Sequence, residues 1–165
     1  MSVEDRLARL GLRIPAPPPA AGNYRSAVLA NDLLFVSGQM PLLDGELRYC
    51  GRVGAELSES EAGEAARLAA LNVLAQIKAA LAGFDRLVSL VRLEGHVSSV
   101  PGWTGQPRVL DYASNLFMAA LGDRGAHTRT AFAPVQLPLN ASIELVVTAL
   151  VAKYPISRRG DVIHR

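Results

Sequence analysis

The chain has 165 residues, half of them apolar and 19% charged, which is enough for one domain with a real core and too little for two. The net charge is +2, Lys and Arg are scattered, and aromatic residues make up only 5%; this argues against a nucleic-acid surface or a base-stacking platform. The shortfall of charge against an average domain leaves apolar surface for an oligomer interface or a generous monomer core.

Ser2 to Gly11 reads as a short amphipathic helix with Leu7 and Leu10 on one face. It lacks the apolar core of a signal peptide, and no stretch is long enough to span a membrane. Pro15 to Pro19 then forms a stiff extended linker, because proline cannot continue a helix. Residues 1–21 are thus expected to precede the main domain, 22–153, with a tail at 154–165.

Ser26–Ala30 and Leu33–Ser37 are apolar runs separated by Asn31-Asp32, residues that tolerate positive φ and so predict a two-residue hairpin. Gly38 is expected to close the second strand, and a loop containing Asp44-Gly45 follows. Cys50 is the single cysteine, which excludes an internal disulfide and fits a reducing, cytoplasmic compartment. A cysteine beside a glycine reads as a space-filler unless something activates it.

Glu59 to Ala82 carries the clearest helical pattern. Ser58 and Glu61 form a capping box, Leu68, Leu71, Leu74, Ile77 and Leu81 make an apolar stripe, and Gly83 ends it. Leu90 to Val100 alternates, with Val91, Leu93 and Val97 expected inward and Arg92, Glu94 and His96 outward. A second helix is predicted from Pro107 to Leu121, burying Leu110, Leu116, Phe117 and Leu121. Strands at His127–Val135 and Ser142–Ala152 complete an α+β layer architecture. Beyond Tyr154 the tail is basic and poorly patterned, a frayed end or an interface arm, and its Arg159-Gly160-Asp161 reads as chance.

From Gly125 to Ala152 the formal charges are two, Arg129 and Glu144. An unpaired charge in such apolar sequence costs several kcal/mol, so each is expected to be paired or in use. Arg129 among Thr128, Thr130, Ala131 and Ala133 suits the floor of a pocket for a small anion, since guanidinium offers a planar fork to a carboxylate. A structural Arg129–Glu144 ion pair is the alternative, and a hairpin turning near Val135 to Pro138 would set the two almost opposite.

Other site chemistries lack their signatures. There is no Gly-x-Gly-x-x-Gly, Walker-type loop or Cys-x-x-Cys. His96, His127 and His164 lie on different elements, so no metal and no cofactor is expected. Ser37-Gly38 has no Gly-x-Ser-x-Gly elbow around it.

Phe35-Val36-Ser37-Gly38-Gln39-Met40-Pro41 closely resembles the Ser-Gly-Gln-(apolar)-Pro signature of the Rid/YjgF family, the enamine and imine deaminases also called endoribonuclease L-PSP. Gly22-Asn23-Tyr24, with Tyr24 thirteen residues before Ser37, resembles the family's Gly-x-Tyr. Arg129-Thr130, Leu137-Pro138 and Ile143-Glu144-Leu145 follow like its C-terminal signature, so the resemblance runs from about Gly22 to Ala152. It implies a chorismate-mutase-like α+β fold, with a mixed sheet packed against two helices, and a homotrimer with a ligand pocket at each subunit interface. By the same resemblance Arg129 grips the substrate carboxylate, Glu144 stands near the attacking water, and Tyr24 and Ser37 line the cavity. Asp111 falls near a pocket Asn of the deaminases. Three features depart from them: Ala131 replaces a frequent Cys, Asp111 is an acid where an amide is usual, and Val97 to Gln106 is longer.

The expected function is hydrolysis of a small 2-imino or 2-enamino acid to a 2-oxo acid and ammonia. The partners are then a small carboxylate metabolite and further copies of the chain. A binding protein that holds a 2-oxo acid without chemistry is the alternative. A ribonuclease ranks third, for want of a basic surface.

Overall fold

The computed structural model describes residues 1–156; Arg159-Gly160-Asp161 and His164 lie outside them, as does most of the basic tail. Helix α1 spans Val3–Arg9, with Ser2 and Asp5 closing a reciprocal capping box. It rests on the main body through Val3 and Leu7, whereas Leu10, expected beside Leu7, is 54% exposed. The helix has ended by then, so Leu10 no longer follows its periodicity.

Strands β1 (Ala27–Ala30) and β2 (Leu33–Gln39) form the expected hairpin, with Asn31 at φ 55°. β2 runs past Gly38 to Gln39 through an irregularity between Val36 and Gln39. Strands β3 (Leu42–Leu43) and β4 (Glu46–Leu47) make a small separate hairpin around Asp44-Gly45. Helix α2 (Glu59–Leu81) carries the Ser58–Glu61 capping box. Its lower side is lined by Ala62, Ala66, Ala69, Val73, Leu74 and Ile77, all fully buried, and the small residues allow close approach to the sheet. Leu68 of the predicted stripe is only half-buried.

Strand β5 spans Leu87–Val97. Its register slips between Leu87 and Ser89 and again between Leu90 and Arg92, and each slip advances the inward face by an odd number of residues. Leu87, Leu90, Leu93 and Val97 are therefore buried and Val91 is 40% exposed, against the simple alternation read from sequence. Helix α3 (Gln106–Leu121) buries Leu110, Leu116, Phe117 and Leu121 as expected. Gly95 of β5 lies under Leu110, where any Cβ would collide with that side chain, so α3 can sit tight against the sheet.

Strands β6 (Thr128–Phe132) and β7 (Ile143–Val151) do not form a hairpin. The sheet order is β1-β2-β7-β5-β6: β5 lies between them, antiparallel to β7 and parallel to β6. A crossover through α3 joins β5 to β6, as parallel strands require. After β6 the chain turns back through a short 3-10 segment, Pro138–Asn140, with Leu139 and Asn140 both at φ 58°. The helices cover one face of the sheet. The other face is open, and Val28 and Phe35 are 47% and 46% exposed on it. No helix of the described residues is long and apolar enough to cross a membrane.

Candidate functional site

Arg129 faces Leu93 in the parallel register and therefore points to the helix-covered side. There its Nη1 donates to Asp111 Oδ1 at 2.9 Å and to Ser114 Oγ at 2.9 Å, both on α3. Its Nη2 donates to the Pro107 carbonyl at 3.2 Å. Asp111 and Ser114 are three apart and share one face of α3. The cluster sits at the sheet edge, since β6 is the outermost strand; the Arg129 side chain is 23% exposed and that of Asp111 57%.

His127, two residues before Arg129 and so on the same face of the chain, joins this group. Its Nε2 lies 3.0 Å from Ser114 Oγ and its Nδ1 2.6 Å from the Gly125 carbonyl oxygen. Burial holds its pKa below the usual histidine value; the Gly125 carbonyl pulls the other way, and the charge of Arg129 adds to the lowering. Phe117 meets the imidazole edge-on, with centroids 5.8 Å apart.

Glu144 points to the opposite, open face. It pairs in register with His96, which stacks on Phe132 with ring centroids 4.9 Å apart. On its other side lies Gly38: a Cβ there would occupy the place of the Glu144 carboxylate. This is a physical reason for glycine in Ser37-Gly38-Gln39. Gln39 is buried beneath, its Nε2 donating to the carbonyls of Ser37 and Gly38 at 3.0 and 3.1 Å. Gln76 of α2 donates in turn to Gln39 Oε1.

Ser37 donates through both its N–H and its Oγ to the Ser26 carbonyl, which ties the start of β1 to this end of β2. Tyr24 stands two residues upstream of Ser26, 52% exposed, its hydroxyl accepting from the Ala21 N–H at 3.3 Å.

The residues singled out from sequence thus fall into two separate groups. Arg129 and Asp111 lie together at the edge on the helix side, and Glu144, Ser37 and Tyr24 belong to the open side and its β1–β2 end. The structural Arg129–Glu144 pair does not form, because the two residues project from opposite faces; Asp111 takes the guanidinium instead. Ser114, His127, Gln39 and His96 were not read as site residues. The spacing of His127 to Arg129 and of Ser114 to Asp111 was the available signal for two of them. Among the described residues no group of three or more His, Cys, Asp or Glu is placed to hold a metal.

A family model described as "YjgF/chorismate_mutase-like, putative endoribonuclease" matches residues 4–153. The chain belongs to this family. The YjgF-like chain is 41% identical over 150 residues to "Protein TCP17" of Trypanosoma cruzi, covering 90% of this chain and 92% of that protein. The crystal structure of Atu1372 from Agrobacterium tumefaciens, a protein of unknown function, is similar at 38% identity and TM-score 0.85, over 90% of this chain and 92% of that one. The crystal structure of "a putative endoribonuclease" from Shewanella oneidensis is similar at 35% identity and TM-score 0.88, over 91% of this chain and 99% of the other. The fold is the YjgF/chorismate-mutase-like one, a mixed sheet with helices on one face.

Proposed function

We propose that this YjgF-like protein hydrolyses small 2-imino or 2-enamino acids to 2-oxo acids and ammonia, in pockets completed between three copies of the chain. The observation that carries the reading is Glu144: a carboxylate on an open sheet face, lodged against Gly38, with no ion-pair partner among the described residues. A charge set into an apolar sheet without a partner suits a group that works on water or ligand.

The chemistry asks little of the protein. An iminium carbon is already electrophilic, so the site needs to hold the carboxylate and orient a water. Arg129 holds the carboxylate, with Asp111 yielding at Nη1 to the incoming anion. Glu144 orients the water and accepts its proton as the C–O bond forms. Glu144 returns that proton to the nitrogen of the tetrahedral carbinolamine, which expels ammonia as its hydroxyl proton passes to water and leaves the 2-oxo acid; an enamine first takes a proton from water at its β-carbon to become the iminium. Tyr24 and Ser37 line the same cavity.

Arg129 and Glu144 leave opposite faces of one sheet, so a single copy does not present both to one ligand. In this reading a neighbouring copy brings its Glu144 half beside the Arg129 half of the first. The exposed Val28, Phe35 and Phe132, at 47%, 46% and 40%, supply the apolar surface for such packing.

Release of ammonia from freshly generated 2-aminoacrylate tests the reaction, with wild type beside Arg129→Ala. Acceleration by wild type, and its loss in the variant, is the expected result. Binding of a 2-oxo acid without acceleration identifies a metabolite-binding protein instead. Light scattering that gives a monomer mass at micromolar concentration removes the shared pocket.

A further inference from the structure

The hydrogen-bond chain behind Arg129 has a fixed direction. The Gly125 carbonyl can only accept, so the His127 Nδ1, 2.6 Å away, carries the proton. In the neutral ring Nε2 is then an acceptor, and the Ser114 hydroxyl, 3.0 Å from it, is its donor. With its hydrogen committed, Ser114 Oγ presents lone pairs to Arg129 Nη1 at 2.9 Å. Donation runs from Arg129 to Ser114 to His127 to Gly125, with every group in the role it can fill. The Pro107 carbonyl holds Nη2 independently at 3.2 Å.

The two partners of Nη1 differ in kind. Asp111 is an exposed carboxylate, 57% accessible, free to rotate into water. Ser114 and His127 are partly buried, with Phe117 against the imidazole. We propose that Ser114 and His127 are positioning residues for Arg129, keeping the guanidinium in place while Asp111 gives way to a ligand carboxylate. This rests on the carboxylate-gripping role given to Arg129 above. An arginine held by Asp111 alone would lose its position when that pair opened; here the serine hydroxyl and the Pro107 carbonyl keep the fork aimed. Among the described residues, Arg129 and Asp111 are the charged groups whose side chains face this relay.

Calorimetric titration of the full chain with 2-oxobutyrate provides the first test. Ser114→Ala raises the Kd about tenfold, and Ser114→Thr, which restores the hydroxyl, returns it to within about threefold. An unchanged Kd in the alanine variant, or no rescue by threonine, overturns the proposal. The second test needs no ligand: nitrogen-detected NMR of the imidazole. It finds the His127 proton on Nδ1, and the titration midpoint moves up in Arg129→Gln as the neighbouring cation is removed. A proton on Nε2, or a midpoint indifferent to Arg129→Gln, overturns it equally. If wild type binds no 2-oxobutyrate, the carboxylate reading fails, and the imidazole measurement still decides whether the relay exists.

Discussion

The Arg129 and Glu144 groups satisfy their charges in different ways. Around Arg129 every visible contact is internal: an acid, a hydroxyl and a carbonyl from α3 surround the guanidinium. Around Glu144 the protein supplies space, through a glycine that lacks the atom which would fill it. A cation that is neutralised before any ligand arrives exchanges one partner for another. A carboxylate left without an ionic partner is available to water at once. Replacing Arg129 should therefore spare stability and cost affinity; replacing Glu144 should spare stability and cost rate.

Gly38→Ala strikes stability and rate together and is the most damaging change expected. The added Cβ must displace the Glu144 carboxylate or open β2, at a cost of about 1–3 kcal/mol in stability, with turnover reduced at least a hundredfold. Thermal melts and ammonia release read the two separately; an alanine variant with normal turnover would show that the carboxylate need not lie there.

Glu144→Gln keeps the shape and removes the charge. Turnover should fall about a hundredfold while the melting temperature stays close to wild type, since no paired cation is abandoned. A large drop in melting temperature with unchanged activity per folded molecule would make Glu144 structural.

Arg129→Lys keeps the charge and loses the fork. Carboxylate binding should weaken by about 1.5–3 kcal/mol, with little loss of stability because Asp111 is exposed and can be hydrated. Calorimetry with a 2-oxo acid checks it, and unchanged affinity would confine Arg129 to its internal pair.

The smallest effect concerns pH. Burial lowers the His127 pKa in the folded protein, so the unfolded chain takes up this proton first as the solution is acidified. The contribution of neutral His127 is complete above the ordinary value of about 6.5 and is lost as pH falls through the lower folded value. Urea midpoints measured from pH 8 to pH 5 should fall more for wild type than for His127→Gln over that window. Equal slopes would show that burial of the ring is inconsequential.

Local chemistry made much of the fold readable. The Ser58–Glu61 box, the Asn31-Asp32 turn and the apolar faces of α2 and α3 are each written in neighbouring residues. Two things were not readable by that route. The register slips of β5 change parity without any glycine or proline to announce them, and so Val91 turned outward. The placement of β7 between β2 and β5 is a choice among long-range pairings, which no local pattern encodes. That choice also decided the candidate site. A hairpin would have paired Arg129 with Glu144; inserting β5 sent them to opposite faces and gave the arginine to Asp111. Arg129 and Glu144 could be named from their isolation in apolar sequence, and Tyr24 and Ser37 from the family resemblance, but Ser114 and His127 acquire meaning only when α3 is laid beside β6.

The position of β7 has a further consequence, for biosynthesis. It is the last strand of the described residues, yet it is the central one of the five, paired directly with β2 and β5 and so joining the β1–β2 hairpin to the β5–β6 pair. During translation the earlier strands emerge as two separate ribbons, each with an open hydrogen-bonding edge and apolar surface such as Leu34, Val36 and Leu93 awaiting its partner. Those edges stay unprotected until residues 143–151 have been synthesised, so sheet closure comes late in synthesis rather than growing with the chain. A nascent chain stalled before Ile143 carries two open strand edges, on β2 and β5, without the strand that covers them.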